Sequence, residues 1–345
     1  MTLKTHWYES DSRFIAGHYQ PAALIDLALS RDIDSHRLLR GTGLFHDDIL
    51  AGRSRISPQQ FLGLIDNSRR LLDANDSSFL FGQRLLPGHY GPASHALRHA
   101  QNLHQALDTL LDYQLLLSPL AAPRLLLDEH YAYIHWLDSC GADEQWRFVL
   151  EASMTSMVAM SAWLSGERLP WQCNFRHDEP RYVEQYWVHL GENSQFNRPL
   201  DMMRLPRHCL AQPWPNTSAT AGQVARIEAR EQVDQLGFAS SFLDCLYDYL
   251  HAHVQQTPSL EQTAQAFAMS PATLKRKLHK HHTGFQQQVD RVHTHVALYL
   301  YQIKGFSNEE VAQYLSFNDT ANFRRSFKRW TGSTPKLIRQ LLALG

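Results

Sequence analysis

The stretch SLEQTAQAFAMSPATLKRKLHK, Ser259 to Lys280, decides how the C-terminal third of this chain folds. Its first half reads as a short helix with Leu260, Ala264 and Phe267 facing inward, ending near Met269. Ser270 can then cap a second helix by accepting a backbone N–H. Pro271 suits that helix's first position, where its missing N–H costs no hydrogen bond. In the second helix Leu274 and Leu278, four residues apart, form a buried stripe. Ala272, Lys275, Arg276 and His279 fall on the exposed arc. Two short helices joined by a tight turn, the second exposed and basic, make a helix-turn-helix, whose second helix enters the DNA major groove.

The same plan recurs about 47 residues later, in SNEEVAQYLSFNDTANFRRSFKRW. Val311, Ala312 and Leu315 build the first helix's inner face, Ser316-Phe317 makes the turn, and Asn318 or Asp319 can cap the second helix. Phe323, Phe327 and Trp330 take the i, i+4, i+7 positions of a core stripe, so these aromatics read as scaffold rather than as base-stacking platforms. The cations differ. A solvated helix face normally mixes signs, yet Asn322 to Trp330 contains no acid. Arg can bridge guanine O6 and N7, Asn can do the same for adenine, and cations at helix edges neutralise phosphates. The candidate DNA-contacting residues are Ala272, Lys275, Arg276, Lys277, Thr320, Asn322, Arg324, Arg325, Lys328 and Arg329. Lys275, Arg276, Asn322, Arg324 and Arg325 are assigned to base reading, and Lys277, Lys328 and Arg329 to phosphates.

Working outward, the net charge of −1 conceals an asymmetry. From Gln256 onward there are 12 Lys or Arg against 5 Asp or Glu, leaving 21 against 29 in the remainder. A basic tail on an acidic body fits a nucleic-acid-binding module attached to something else. The stretch AQPWPNTSATAG, Ala211 to Gly222, with two prolines among small polar residues, reads as a linker. The expected division is an N-terminal domain at 1–212, a linker at 213–222 and a C-terminal domain at 223–345, with helix-turn-helix units at about 259–281 and 307–330. In the body, Ser57-Pro58 opens a helix, Ala96 to Leu117 has the spacing of one long amphipathic helix, and Asp128-Glu129 turns a hairpin. A further helix spans about Glu144 to Leu164, and WQCNFRH is a short strand. The fold class is thus an α+β N-terminal domain followed by an all-α domain with two helix-turn-helix motifs joined by a long helix.

Other chemistries find little support. The chain lacks an apolar run of membrane-spanning length and an N-terminal signal pattern, and its four cysteines are scattered, so the expected compartment is the cytoplasm. HKHH at 279–282 and HTH at 293–295 have no compact ligand spacing, so these histidines are expected on the surface or facing DNA, with no metal and no cofactor. HWLDSCG, His135 to Gly141, holds a His, an Asp and a Cys, but neither GxSxG, HExxH nor a phosphate-binding glycine loop occurs. A DNA-linked enzyme, such as a self-modifying alkyl-transfer repair protein, is the alternative class.

From about Phe238 to Leu342 the chain resembles the DNA-binding domain of AraC/XylS-family transcription regulators. SPATLKRKL, Thr283-Gly284-Phe285, the helix around Arg291 to Leu300 and SFNDTANFRRSFKRWTGSTP carry the resemblance. Ser316 departs from the family's usual Gly at the turn, and Ile338 from its usual Tyr. LIDLALSRDIDSHRLLRGTGL, GHYGPASHALRHAQNLHQALDTLLDY and LPWQCNFRHDEPRYVEQYW resemble the arabinose-binding-like N-terminal domain of one subgroup, a label that does not make arabinose the ligand. The resemblance implies a regulator, with an effector pocket of unknown residues in the body. Its implied partners are double-stranded DNA, a small-molecule effector, a second copy of the chain and RNA polymerase.

Overall fold

The computed structural model describes residues 7–343. The chain divides into two compact units between Ser241 and Phe242. In the N-terminal unit the helices are α1 (Gln20–Leu29), α2 (Ser35–Leu39), α3 (His46–Leu50), α4 (Pro58–Leu72), α5 (Ser77–Leu85) and α6 (Pro92–Arg98). They continue with α7 (Leu103–Asp112), α8 (Gln114–Leu117), α9 (Trp146–Ser165), α10 (Val183–Leu190) and α11 (Ala219–Asp234). Strands β1 (Ile15–Ala16) and β2 (Arg55–Ile56) form a small antiparallel pair. The main sheet takes β3 (Ala121–Leu127), β4 (Tyr131–Asp138), β5 (Gln172–Asn174), β6 (Ser194–Gln195) and β7 (Met202–Pro206), in the order β3-β4-β7-β5-β6.

Local chemistry explains most of these elements. Ser57 and Gln60 cap α4 reciprocally, satisfying two N–H groups that the first turn cannot. The β3–β4 hairpin turns where expected, because Asp128 Oδ1 accepts both the His130 and Tyr131 N–H groups, at 2.7 and 2.6 Å. The expected single helix Ala96 to Leu117 is instead three. Asn102 accepts the Gln105 N–H at 2.9 Å and starts α7 afresh after α6 has ended at Arg98. An Asn inside a periodic pattern can cap as readily as it can continue.

Helix α9 forms the middle of the unit. By length and composition Asp143–Ser165 could cross a membrane, but 78% of its apolar window is buried inside the protein, as in a core helix. Glu151 on α9 is 4% exposed and accepts from Ser78 Oγ at 2.6 Å, Arg147 Nε at 2.8 Å and the Tyr186 hydroxyl. A mostly apolar cavity of about 40 Å³ lies beside α9, partly open and lined among others by Phe61, Phe81, Trp136 and Met157, with no charged side chain on its wall.

The division of the chain differs from the linker expected at 213–222. Ser218 caps α11 by accepting the Ala221 N–H, and α11 lies against α6 inside the N-terminal unit. It buries Gly222, Ala225, Ala229 and Val233, a stripe of small residues that allows close approach to the neighbouring chain at His99. The segment Phe238 to Ser241 also stays with this unit, where Phe238 packs on Tyr8 and Phe14 at ring separations of 5.5 and 5.2 Å. Positions 1–6 and 344–345 of the expected domain limits lie outside the described residues.

The C-terminal unit is helical among its described residues: α12 (Phe242–Ala252), α13 (Leu260–Ala266), α14 (Pro271–Lys280), α15 (Phe285–Gln302), α16 (Asn308–Tyr314), α17 (Thr320–Thr331) and α18 (Pro335–Ala343). Helix α15 packs against α12, α16, α17 and α18, joining the two helix pairs.

Candidate nucleic-acid interface

The two helix pairs are built alike. Ser259 and Gln262 form a reciprocal cap on α13, and Ser307 and Glu310 form the same cap on α16, 48 residues further on. Buried Thr263, Ala264 and Phe267 correspond to buried Val311, Ala312 and Leu315 at that spacing. Four residues separate α13 from α14, and five separate α16 from α17. Ser270 caps α14 by accepting the Thr273 N–H at 3.1 Å, and Asp319 caps α17 by accepting the Asn322 N–H at 2.6 Å.

On α14 the outward arc is the expected one. Leu274 and Leu278 are buried, while Ala272, Lys275, Arg276 and His279 are exposed. Lys277 is half-buried, with its ammonium 5.8 Å from the centre of the Phe242 ring. On α17 Phe323 and Phe327 are wholly buried. At 3.6 residues per turn, Ala321, Arg325 and Lys328 then project directly away from the core, with Arg324 on one flank and Arg329 and Asn322 on the other. All four cations are exposed, and Thr320 and Asn322 are half-buried at the helix start.

The flanks meet different neighbours. Arg324 stands 4.0 Å from Glu309 on α16 and lines an open groove with Lys336 and Arg339 of α18. Arg329 pairs with Asp290 on α15 at 3.1 Å. Lys336 and Arg339 are not among the residues expected from the sequence. Pro335 at the start of α18 was the available signal that a further helix, with its own cations, begins there. Together α14, α17 and the α18 edge present cations on exposed helix faces, the arrangement that neutralises phosphates and reaches base edges.

Behind α17 the aromatics hold the helix to its unit. Phe317 and Phe323 are 5.6 Å apart, and Tyr301 of α15 meets Phe327 edge-on at 5.9 Å. Trp330 stacks on His293 of α15 at 5.0 Å and 8°. His293 is buried, and that burial lowers its pKa against the opposing pull of Asp290 and the Val289 carbonyl. His281 is buried too, so these two histidines belong to the interior and not to the surface or the DNA face expected of them. His295 is half-buried, with its Nδ1 at 2.9 Å from the Tyr247 hydroxyl. Among the described residues no group of three or more His, Cys, Asp or Glu is placed to hold a metal ion.

Two of the thiols, Cys173 and Cys209, are poorly set for nucleophilic chemistry. Cys140 and Cys173 are buried, and burial pushes the Cys173 thiol up to about 12. Cys209 is likewise raised, by burial and then by Glu167. A thiol held above its ordinary pKa carries less of the thiolate that attacks electrophiles.

Residues 33–214 match the family described as the arabinose-binding domain of AraC transcription regulators, N-terminal, and residues 263–340 match a helix-turn-helix domain. The ornithine utilization regulator of Pseudomonas aeruginosa is 25% identical over 319 residues, covering 92% of this chain and 94% of its own length. The regulator VqsM of the same species is 31% identical over 98 residues, 28% of each chain. The crystal structure of the transcriptional regulator CdpR, also from Pseudomonas aeruginosa, aligns with 93% of this chain and 98% of its own. That alignment has a TM-score of 0.41 and 18% identity. The match at 33–214 alone spans more than half of the 345 residues, and the chain belongs to the AraC family of DNA-binding transcription regulators, in the group with an arabinose-binding-type N-terminal domain.

Proposed function

We propose that this protein is a cytoplasmic activator of transcription that binds DNA sequence-specifically through α14 and α17 and answers to a small molecule held by its N-terminal unit. The observation that carries the reading is the duplicated helix pair, each with its second helix turning an exposed basic arc outward. The two second helices enter successive major-groove segments on one face of the duplex, about 34 Å apart. Lys275, Arg276 and Arg325 reach bases, and Lys277, Arg324, Lys328 and Arg329 hold phosphates, with Ala272 and Thr320 at the edges of the contact. Arg324, expected from the sequence to read a base, leaves α17 on the flank shared with Lys336 and Arg339, which suits a phosphate contact. A second copy of the chain and RNA polymerase complete the active assembly.

The whole-length similarity to a regulator named for ornithine utilization supports a metabolite as effector. The cavity beside α9 has no charged wall residue, a lining that suits an apolar ligand better than a cationic amino acid such as ornithine. Effector and DNA would each shift the other's affinity by the same factor. The test titrates full-length protein with its own upstream DNA and with a scrambled duplex at several salt concentrations. Salt-dependent binding that favours the upstream DNA is expected, and binding that ignores sequence would sink the regulatory reading. A thermal-shift screen including ornithine tests the effector, and a reporter gene distinguishes activation from repression.

A further inference from the structure

The start of α17 holds more than a cap. Asp319 uses its two carboxylate oxygens separately: Oδ1 accepts the Asn322 backbone N–H at 2.6 Å, and Oδ2 accepts the Asn322 side-chain Nδ2–H at 2.5 Å. The Asn322 side-chain oxygen in turn accepts a hydrogen bond from the Arg325 guanidinium. The three residues follow at intervals of three, so they stack along one side of the helix. The first unit is built differently. Ser270 caps α14 with a single hydroxyl, shared with the Thr273 hydroxyl at 3.0 Å, and Lys275 and Arg276 are exposed cations beyond it.

We propose that Asp319 and Asn322 are positioning residues for Arg325, and that this relay makes the base pair under Arg325 the most strictly read in the binding site. The proposal rests on the DNA-binding reading above. A free arginine loses rotamer freedom when it docks on a base, whereas a guanidinium already held by a neighbour has less to lose. Preorganisation of this kind strengthens the correct contact, and a held guanidinium adapts less readily to a wrong base. One NH2 donates to Asn322, which leaves further N–H groups to bridge guanine O6 and N7, so guanine is the base assigned to Arg325. Asn322 gives one amide N–H to Asp319 and turns its oxygen to Arg325, so the proposal assigns it to positioning rather than to adenine reading.

The substitution Asp319→Ser separates capping from positioning. Serine still accepts the Asn322 N–H as a cap but lacks the second oxygen that holds Asn322 Nδ2. The experiment compares full-length wild type, Asp319→Ser, Asn322→Ala and Arg325→Ala, each selecting from a pool of random-sequence duplexes whose bound members are sequenced, with thermal melts in parallel. Arg325→Ala should erase a guanine preference at one position. Asp319→Ser and Asn322→Ala should flatten that same position by roughly tenfold while leaving the others unchanged, and Asp319→Ser should melt as wild type does. The relay is overturned if both variants keep the wild-type preference there, if they weaken every position alike, or if Asn322→Ala loses a different base pair. A wild type that enriches no motif overturns the DNA-binding reading and the relay together, whereas a wild-type motif untouched by the variants overturns the relay alone.

Discussion

Ala268 and Ser316 occupy the same place in the two helix pairs, one residue beyond the cap that ends the first helix. Both are left-handed, with φ of 53° and 59°. A side chain is strained in that region and glycine is not, which is why Ser316, standing where the family favours Gly, draws attention in the sequence. Ala268→Gly should therefore raise stability by about 1 kcal/mol, read as a higher urea midpoint at unchanged slope. Ser316→Gly should gain less, because the Ser316 hydroxyl donates to the Gln255 carbonyl at 2.6 Å and that bond would be lost. Equal gains at the two positions would show that the Ser316 bond contributes nothing. At His293 the outcome depends on pH. A histidine held below its unfolded value binds fewer protons when folded, so its contribution is whole above about pH 6.5 and declines as the pH falls below that. The groups around it, Asp290 and Arg329, are paired with each other at 3.1 Å. Melting of the full-length protein should soften from about pH 7 to about pH 5.5, and His293→Phe should flatten the slope; an unchanged slope would assign the effect elsewhere.

Among the elements, α5 and α9 pack tightly against each other at Gly82. A Cβ there would lie 2.6 Å from the Ala152 carbonyl oxygen and 2.7 Å from Thr155 Cβ, neither of which is the free end of a flexible chain. Gly82→Ala should cost about 1–3 kcal/mol, despite alanine's better helix propensity. Gly63→Ala on α4 is the control: its nearest neighbour is Thr42 Cγ2 at 3.7 Å, an ordinary contact, so it should be neutral or mildly stabilising. A Gly82→Ala variant as stable as wild type would mean that α5 can move away at no cost. How legible each element was depended on what signalled it. Helices α13, α14, α16 and α17 could be read because their starts are marked by Ser or Asp caps and their cores by large residues at helical spacing. The break at Asn102 could not, since the apolar spacing runs on through it. Strand β7 was missed because its partners β4 and β5 lie far off in sequence, and no local turn announces the pairing.

For the molecule as a whole, composition was enough to separate a basic regulator tail from an acidic body, but not to place the boundary. Helix α11 stays with the N-terminal unit through Gly222, Ala225 and Ala229, residues too small to register as an apolar stripe. An N-terminal fragment ending at Ser241 should accordingly melt higher than one ending at Gln212, which bares the α6 face that α11 covers; equal melting would restore the boundary to the proline-rich stretch. The exposed faces of α14 and α17 were legible almost residue by residue, whereas the ties on them, Arg329 to Asp290 and Arg325 to Asn322, depend on neighbours no spacing rule reveals. The duplicated helix pair has a last consequence. The two second helices, the readers under the proposed function, are similar in build but differ in what they present, lysine and arginine from α14 against a tethered arginine from α17, and they follow in fixed order along one chain. A site recognised by such a chain has a head and a tail, unlike the palindrome read by a twofold-symmetric dimer of single readers. Each bound chain therefore points one way along the duplex. Inverting its site in front of a reporter gene, with the sequence and spacing otherwise kept, should change the transcriptional output: the address includes an orientation.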